Sequence, residues 1–398
     1  MKNDNLIRKE WDRNGLPGWT YFSDDLLDVE NEELFRKHWQ LVCHINDIPE
    51  PGDYHTYDIA KERAFVIRGH DGVIRSFHNL CRHKGARVVS GSSGRCNKAM
   101  ICPYHGWAYN LDGTLRGIAE RASFPPMKKE DWGLKPIEQE IWHGFIFIRF
   151  KSSIQPPVSK ILERFDEEVS HYKLNTMLPD GNGVWKDALD VNWKAIRDVD
   201  NEGYHVRQAH PGLHDLYGND YFDEPYIEGA SRSVGYFSGG PSKLWSVQQY
   251  KNILPKIEHL PPSNQQAWIY IGMFPNIVFG FYPDSVIYYQ EIPISATKTV
   301  QQGAVYRHKN ESRELRASRY LSNRIDRDTM AEDQMLCVWA CEAAQSSAFD
   351  GVVLSDLEYG LKTFHDHLRS KIPVIDSPEE PEKMAFKSLV KGLSLIHI

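Results

Sequence analysis

Cys81-Arg82-His83 is followed, after the 18 residues 84–101, by Cys102-Pro103-Tyr104-His105-Gly106-Trp107. Each short segment pairs one sulfur with one imidazole, so two loops held face to face would bring four ligands to one metal centre. A structural zinc site of this composition usually pairs Cys with Cys and His with His, at CysX2–4Cys and HisX3–5His. One of each per loop suits instead a two-iron cluster, in which two thiolates hold one iron and two neutral imidazoles the other, a ligation that raises the reduction potential. Cys96, inside the spacer, reads as a bystander thiol because the other four residues complete the set.

The surroundings of this stretch are those of a β scaffold. From about residue 42 to 150 short β-rich runs alternate with turn signals, including Asp71-Gly72 and Asp112-Gly113, and the pattern closes with a strand over 144–150. Before it, residues 25–40 carry Leu26, Leu27, Val29, Leu34, Phe35 and Trp39 at roughly helical period, predicting an N-terminal helical collar over 1–40. After it, a Pro-containing joint at 152–159 marks a domain boundary. Beyond the joint, helices are expected over about 160–172, 193–209, 312–348 and 356–370, with a run of strands between Ser233 and Tyr306. This predicts an α+β chain: an all-β metal domain over 41–155, then an antiparallel sheet packed against helices over 156–385. Residues 386–398, ending LeuSerLeuIleHisIle, lack structural context and are expected to be a non-native or disordered tail, which removes His397 from the candidate ligands.

Composition narrows the function. The 398 residues are 41% hydrophobic and 25% charged, near globular averages, which excludes disordered and collagenous scaffolds. A net charge of −7 without a dense basic stripe argues against nucleic acid. Apolar runs such as 141–148 are too short to span a bilayer, and the N-terminus has no apolar signal core, so a cytoplasmic protein without a membrane partner is expected. Six cysteines and 17 histidines point to thiols and metal ligands rather than a disulfide framework. Neither a GlyXGlyXXGly nor a phosphate-loop pattern occurs, so the chain has no nicotinamide or flavin signature of its own.

A metal domain of this kind needs only about a hundred residues, which leaves the second half to account for. The segment from Asn192 to Pro211 holds Glu202, His205 and His210. Glu202 and His205, three apart, share a helical face and can hydrogen-bond. His205 and His210 lie about 140° apart on an ideal helix, so both reach one metal only where the helix ends, and Pro211 biases His210 towards such an end. Two histidines with a distant carboxylate have the composition of the facial triad that leaves positions open on Fe(II). The carboxylate is expected from Met330–Leu336: Asp333, taken to open a helix that buries Leu336, Val338 and Trp339, with Glu332 as its rival. Pocket walls are expected from the aromatic strand region 268–289, chiefly Trp268, Tyr270, Phe279 and Phe281, which suit a flat ring or a quaternary ammonium group.

CysXHis…CysXXHisGlyTrp, here Cys81, His83, Cys102, His105, Gly106 and Trp107, resembles the Rieske [2Fe–2S] signature, with a slightly long spacer whose extra length falls in GlySerSerGlyArgCysAsn (91–97). From about residue 20 to 385 the layout resembles the α subunit of Rieske non-haem iron oxygenases, the aromatic-ring-hydroxylating dioxygenase family. The resemblance implies a β Rieske domain joined to a helix-grip-like catalytic domain, a [2Fe–2S] cluster and a mononuclear Fe(II), and a head-to-tail homotrimer with or without a β subunit. It favours Asp333 over Glu332. It further implies that electrons cross from the cluster of one subunit to its neighbour's iron through a carboxylate bridging two histidines, with His105, Glu202 and His205 in those roles.

Two positions depart from the family pattern. The bridge is commonly Asp, and Glu202 is the longer variant found in members that oxidise alkylammonium compounds such as carnitine. The family's Asn seven residues before the first iron histidine is Asp198 here, expected to face solvent. The function implied is a terminal oxygenase that takes electrons from a separate NAD(P)H-dependent reductase, with or without a ferredoxin, and hydroxylates a small organic substrate, an aromatic compound first. Oxidation or demethylation of a quaternary ammonium compound is the alternative. An electron-transfer protein without oxygenase activity and a zinc-stabilised binding protein are the readings from other classes.

Overall fold

The computed structural model describes residues 11–181, 184–383 and 386. The first ten residues and all of the expected tail but Phe386 lie outside the described residues. The chain divides into two compact units, one of Phe35–Lys160 with Met177–Pro179, the other of the residues up to Leu34, Ile161–Thr176 and those from Asp180 onward.

The first unit is built of β-hairpins. Its strands are β1 (Gln40–His44), β2 (Asp53–Ile59), β3 (Glu62–Arg68), β4 (Ile74–His78), β5 (Ser93–Arg95), β6 (Met100–Ile101), β7 (Ala108–Tyr109), β8 (Leu115–Gly117), β9 (Glu138–Trp142) and β10 (Phe145–Arg149). They form three antiparallel sheets in the orders β1-β10-β9, β4-β3-β2-β5 and β6-β7-β8. Asp71-Gly72 makes the expected turn between β3 and β4: Gly72 takes a φ of +77° and the Asp71 carboxylate accepts from Val73 N at 3.1 Å. Tyr54, Phe65, Ile67, Phe77, Met100, Trp107 and Tyr109 pack into a core that reaches the base of both Cys/His loops.

The second unit carries the helices α1 (Asp24–Glu30), α3 (Asp166–Ser170), α4 (Trp193–Asp200), α5 (Val206–Ala209), α6 (Pro211–Tyr217), α7 (Trp245–Ile253), α8 (Arg313–Ala344) and α9 (Tyr359–Lys371), and α2 (Val158–Ile161) lies at the division between the units. Short β11 (Leu178–Pro179) falls in the first unit; the strands of the second are β12 (Trp185–Leu189), β13 (Tyr221–Asp223), β14 (Ala230–Tyr236), β15 (Ala267–Met273), β16 (Ile277–Phe281), β17 (Ser285–Ser295) and β18 (Lys298–Arg307). The antiparallel sheet of this unit runs β12-β18-β17-β16-β15-β14-β13. This is the expected α+β class, a β domain followed by a helix-grip-like sheet and helices.

Three local expectations are corrected. The helix expected over 193–209 breaks after Asp200, and α5 and α6 meet at His210 (φ −115°, ψ 82°) because Pro211 excludes the helical conformation there. The helix expected over 312–348 is present, but Asp333 does not open it. The helix begins at Arg313, where Ser312 Oγ accepts from Leu315 N, and Asp333 sits in its interior; Trp339 on this helix is exposed.

The N-terminal helix is not a separate collar either, since it belongs to the second unit. Glu30 accepts from Lys194 Nζ at 2.6 Å and from Trp193 Nε1 at 2.8 Å, with both charged side chains fully buried. Removing one partner of a buried pair strands the other charge. Glu30→Ala is therefore expected to cost about 3–5 kcal/mol, read as a lower denaturant midpoint, and an unchanged midpoint would show that the pair does not hold this segment.

Candidate metal centres and the active-site cavity

The two Cys/His loops of the first unit share one backbone design. Gly85 N donates to Cys81 O at 2.9 Å and Cys81 N to Ala86 O at 2.8 Å; on the other loop Gly106 N donates to Cys102 O at 3.0 Å and Cys102 N to Trp107 O at 2.8 Å. Each turn closes four residues after its cysteine on a glycine in the left-handed region, Gly85 at φ +72° and Gly106 at +69°, where a β-carbon is strained. The turns bring the His83 and His105 rings to 4.5 Å between centroids, and Trp107 stacks on His83 at 5.3 Å.

The donors at this site fit a cluster. His83 Nδ1 is buried without a hydrogen-bond partner, and both sulfurs are buried. Tyr109 Oη accepts from Arg82 N at 2.9 Å, so its own proton is free for Cys81 Sγ at 3.3 Å. Sequence reasoning missed Tyr109, although its position two residues after the tryptophan of the signature was a usable signal. Hydrogen bonds to the sulfurs raise a cluster's potential. Tyr109→Phe is expected to lower it by roughly 20–65 mV, the one-electron equivalent of one net hydrogen bond, measured by redox titration of the visible spectrum; an unchanged potential would remove the role.

In the second unit the helix break places the other constellation. Glu202 fills the turn between α4 and α5, its carboxylate accepting from Tyr204 N and from His205 N, at 3.2 Å, while its other oxygen holds His205 Nδ1. The two are thus joined through a turn rather than along a helical face. His210, at the α5–α6 junction, is buried, and its Nδ1 lies 2.8 Å from Glu332 Oε2. The two Nε2 atoms are 3.0 Å apart, and Asp333 Oδ1 lies 2.9 Å from that of His210 and 3.6 Å from that of His205. His205, His210 and Asp333 therefore converge, their ligand atoms all within 4.8 Å of one another, whereas Glu332 sits on the far nitrogen of His210.

This donor set fits a metal ion. With both Nδ1 atoms engaged by carboxylates, neutral rings turn two lone pairs and Asp333 Oδ1 towards one point. Asp333 Oδ1 is buried and accepts no hydrogen bond despite its closeness to His210. Burial disfavours charge on His205, yet Asp333 and Glu202 outweigh it and lift its pKa to about 10; at His210 Asp333 and Glu332 act in the same direction. The point between these groups favours positive charge, which ring protons and a metal ion compete to supply.

A cavity of about 460 Å³ opens beside the triad, within the range of small-molecule sites. Of the expected wall residues, Tyr270 lines it and Trp268, Phe279 and Phe281 do not. Strand alternation explains the difference: Tyr270 pairs with Gly280, while Phe279 and Phe281 pair with Ile271 and Ile269 and point to the opposite face. Trp268 shares Tyr270's face but stacks on Tyr282 at 4.0 Å and donates to Tyr250 Oη at 3.0 Å, which keeps it in the core. Helical phase adds to Asp333 three residues that sequence reasoning overlooked, Asp326, Met330 and Cys337. Asp326, Met330, Asp333 and Cys337 recur on one face of α8, and all four line the cavity. Asp200 lines it too, paired with Arg197 at 2.8 Å and accepting from Tyr289 Oη at 3.0 Å. Asp198, expected in solvent, instead accepts from Tyr21 Oη and holds His365 Nε2 at 2.9 Å.

A β unit with a paired Cys/His cradle, followed by a helix-grip unit with two histidines and an aspartate at a cavity, is the arrangement of an oxygenase with two iron centres. The chain matches the ring hydroxylating alpha subunit (catalytic domain) model over residues 165–373 and the Rieske [2Fe-2S] domain model over 38–128, and it belongs to this family of Rieske oxygenase α subunits. It is an oxidoreductase whose cofactors are a Rieske [2Fe–2S] cluster and a mononuclear iron. It is 28% identical over 294 residues to the carnitine monooxygenase oxygenase subunit of Acinetobacter pittii, covering 73% of this chain and 75% of the relative. It is 31% identical over 210 residues to the glycine betaine monooxygenase oxygenase subunit of Pseudomonas aeruginosa, covering 52% of this chain and 47% of that one. The structure of a quaternary ammonium Rieske monooxygenase superposes with a TM-score of 0.76 at 23% identity, covering 90% of this chain and 95% of the other. Among the described residues, no helix is long and apolar enough to cross a membrane.

Proposed function

We propose that this protein is the terminal oxygenase of a system that oxidises a quaternary ammonium compound, by hydroxylation or oxidative demethylation beside the nitrogen. The observation that carries this reading is the cavity: tyrosine rings and the Asp326 carboxylate, with no buried lysine or arginine among the described residues that line it, stand next to the His205, His210 and Asp333 triad. Such walls stabilise a cation that cannot donate hydrogen bonds. Similarity to carnitine and glycine betaine monooxygenases supports the same substrate class, as does glutamate at position 202. The order of the two substrate classes expected from sequence is thereby reversed, with an aromatic substrate now second.

In this reading Cys81, His83, Cys102 and His105 hold the cluster, and His205, His210 and Asp333 hold the mononuclear iron. When bound, these groups supply stored electrons and dioxygen activation. The chain's other residues orient and insulate them. Glu202 and Glu332 hold the Nδ1 protons of His205 and His210 and so set the ring tautomers. In a head-to-tail homotrimer, Glu202 would also accept from His105 of the neighbouring subunit and link the two centres. Electrons would come from a separate cytoplasmic NAD(P)H-dependent reductase, directly or through a ferredoxin.

The test is NADH-dependent oxygen uptake with a surrogate reductase across carnitine, glycine betaine, choline, benzoate and biphenyl, with products identified by mass spectrometry. Uptake coupled to an oxidised or demethylated ammonium compound is expected. A ring-hydroxylated aromatic product would overturn the substrate class, and cluster reduction without product from any compound would favour an electron carrier.

A further inference from the structure

Two carboxylates lining the cavity belong to neither the triad nor an ion pair, Asp187 on β12, which is exposed, and Asp326, which is not. Glu202 and Asp333 are engaged by the histidines, and Asp200 is neutralised by Arg197. Asp326 projects from α8 into the cavity seven residues, about two turns, before Asp333. Among the described residues its hydrogen-bond partner is Tyr282 Oη, at 3.0 Å, and no basic side chain pairs with it. Behind Tyr282 the hydroxyls continue in a chain, Tyr282 to Tyr270 at 3.2 Å and Tyr270 to Tyr217 at 3.3 Å. Apart from the two triad histidines, the basic residue lining the cavity is Arg327, which is exposed.

We propose that Asp326 is the anchor for the cationic head of the substrate, holding it by charge against the tyrosine wall while the rest of the molecule extends towards the mouth and Arg327. This rests on the quaternary ammonium reading and deepens it to one specificity-determining residue. A trimethylammonium group has no N–H to donate, so Asp326 acts on it through the field of a carboxylate in a poorly solvated wall, where a unit charge counts for more than in water. The position is consistent with selection for cations: an unpaired carboxylate in such a wall is unfavourable until a positive charge arrives.

Titration adds a second readout. Burial, and to a lesser degree Asp284, raise the Asp326 pKa to about 8, against the hydrogen bond from Tyr282. The groups facing it are the hydroxyls of Tyr217, Tyr250, Tyr270 and Tyr282, all raised and so neutral, and Asp284, raised to about 6. Between pH 8 and pH 6, therefore, Asp326 gains a proton in the free protein. A cation that needs the charged form should lose affinity by up to about tenfold per unit as pH falls.

The experiment compares choline with its uncharged carbon isostere, 3,3-dimethyl-1-butanol, by calorimetric binding to the anaerobic holoprotein. The wild type is expected to prefer choline by about 10–100-fold at pH 8, with the preference shrinking towards pH 6. Asp326→Asn is expected to abolish both the preference and its pH dependence while leaving iron content and the cluster spectrum intact. A wild-type preference for choline that survives Asp326→Asn would overturn the anchor and leave the ammonium reading standing. No preference in the wild type at any pH would overturn both. If the variant does not fold, the wild-type pH series decides, since a choline preference that does not vary between pH 8 and pH 6 contradicts the anchor.

Discussion

Asp333→Ala is expected to abolish product formation, by roughly 10³-fold or more, and to lower the iron content from about three to about two atoms per chain while the cluster's spectrum persists. The expectation follows from geometry. Asp333 Oδ1 is the carboxylate oxygen that meets both Nε2 atoms, and it is buried without another partner. Without it the two imidazoles are left as a two-point site at the cavity wall. Its neighbour provides the control: Glu332 contacts only the outer nitrogen of His210, so Glu332→Gln should weaken iron binding by about 10–100-fold without removing a ligand. Iron analysis and turnover on the two variants check the assignment. Full iron in Asp333→Ala, or a greater loss in Glu332→Gln, would exchange their roles.

Glu202→Gln is expected to keep both metal centres and lose coupled turnover, by roughly 10²-fold or more. Glutamine preserves the volume of the glutamate and one carbonyl acceptor for His205. It replaces the second acceptor with a donor, which cannot accept from Tyr204 N or from a second imidazole. Under rapid mixing with reductase, the cluster of the variant should be reduced at the normal rate and then stay reduced in the presence of oxygen and substrate. Product at the wild-type rate from a metal-replete variant would show that Glu202 does not link the centres.

Much of this architecture was legible because a few residues leave little freedom. The Cys/His loops and the Asp71-Gly72 turn announced a hairpin scaffold, and Pro211 announced the break that His210 occupies. The β2–β3 turn was not legible in the same way, because Ala60 and Lys61 adopt left-handed conformations, φ +52° and +64°, without a glycine or asparagine to signal them. The place of the N-terminal helix depended on Glu30 meeting Lys194, a contact between distant residues that no local pattern encodes. Likewise, aromatic content marked the strands of the cavity, but which rings face inward depended on register: Tyr270 opposite Gly280 points in, Phe279 and Phe281 point away. Asp326 was within reach, since a residue seven before Asp333 shares its helical face and both fall inside the helix expected over 312–348.

The central proposal is that this protein oxidises a quaternary ammonium substrate at its own metal centres and takes its electrons from a separate source. Single turnover tests it without a reductase: the purified protein is chemically reduced, freed of reductant, and mixed with oxygen and a quaternary ammonium compound chosen from the panel. Oxidised or demethylated product is expected, approaching about one per mononuclear iron, formed as the cluster reoxidises. Reoxidation of the cluster with no product from any ammonium compound would contradict it.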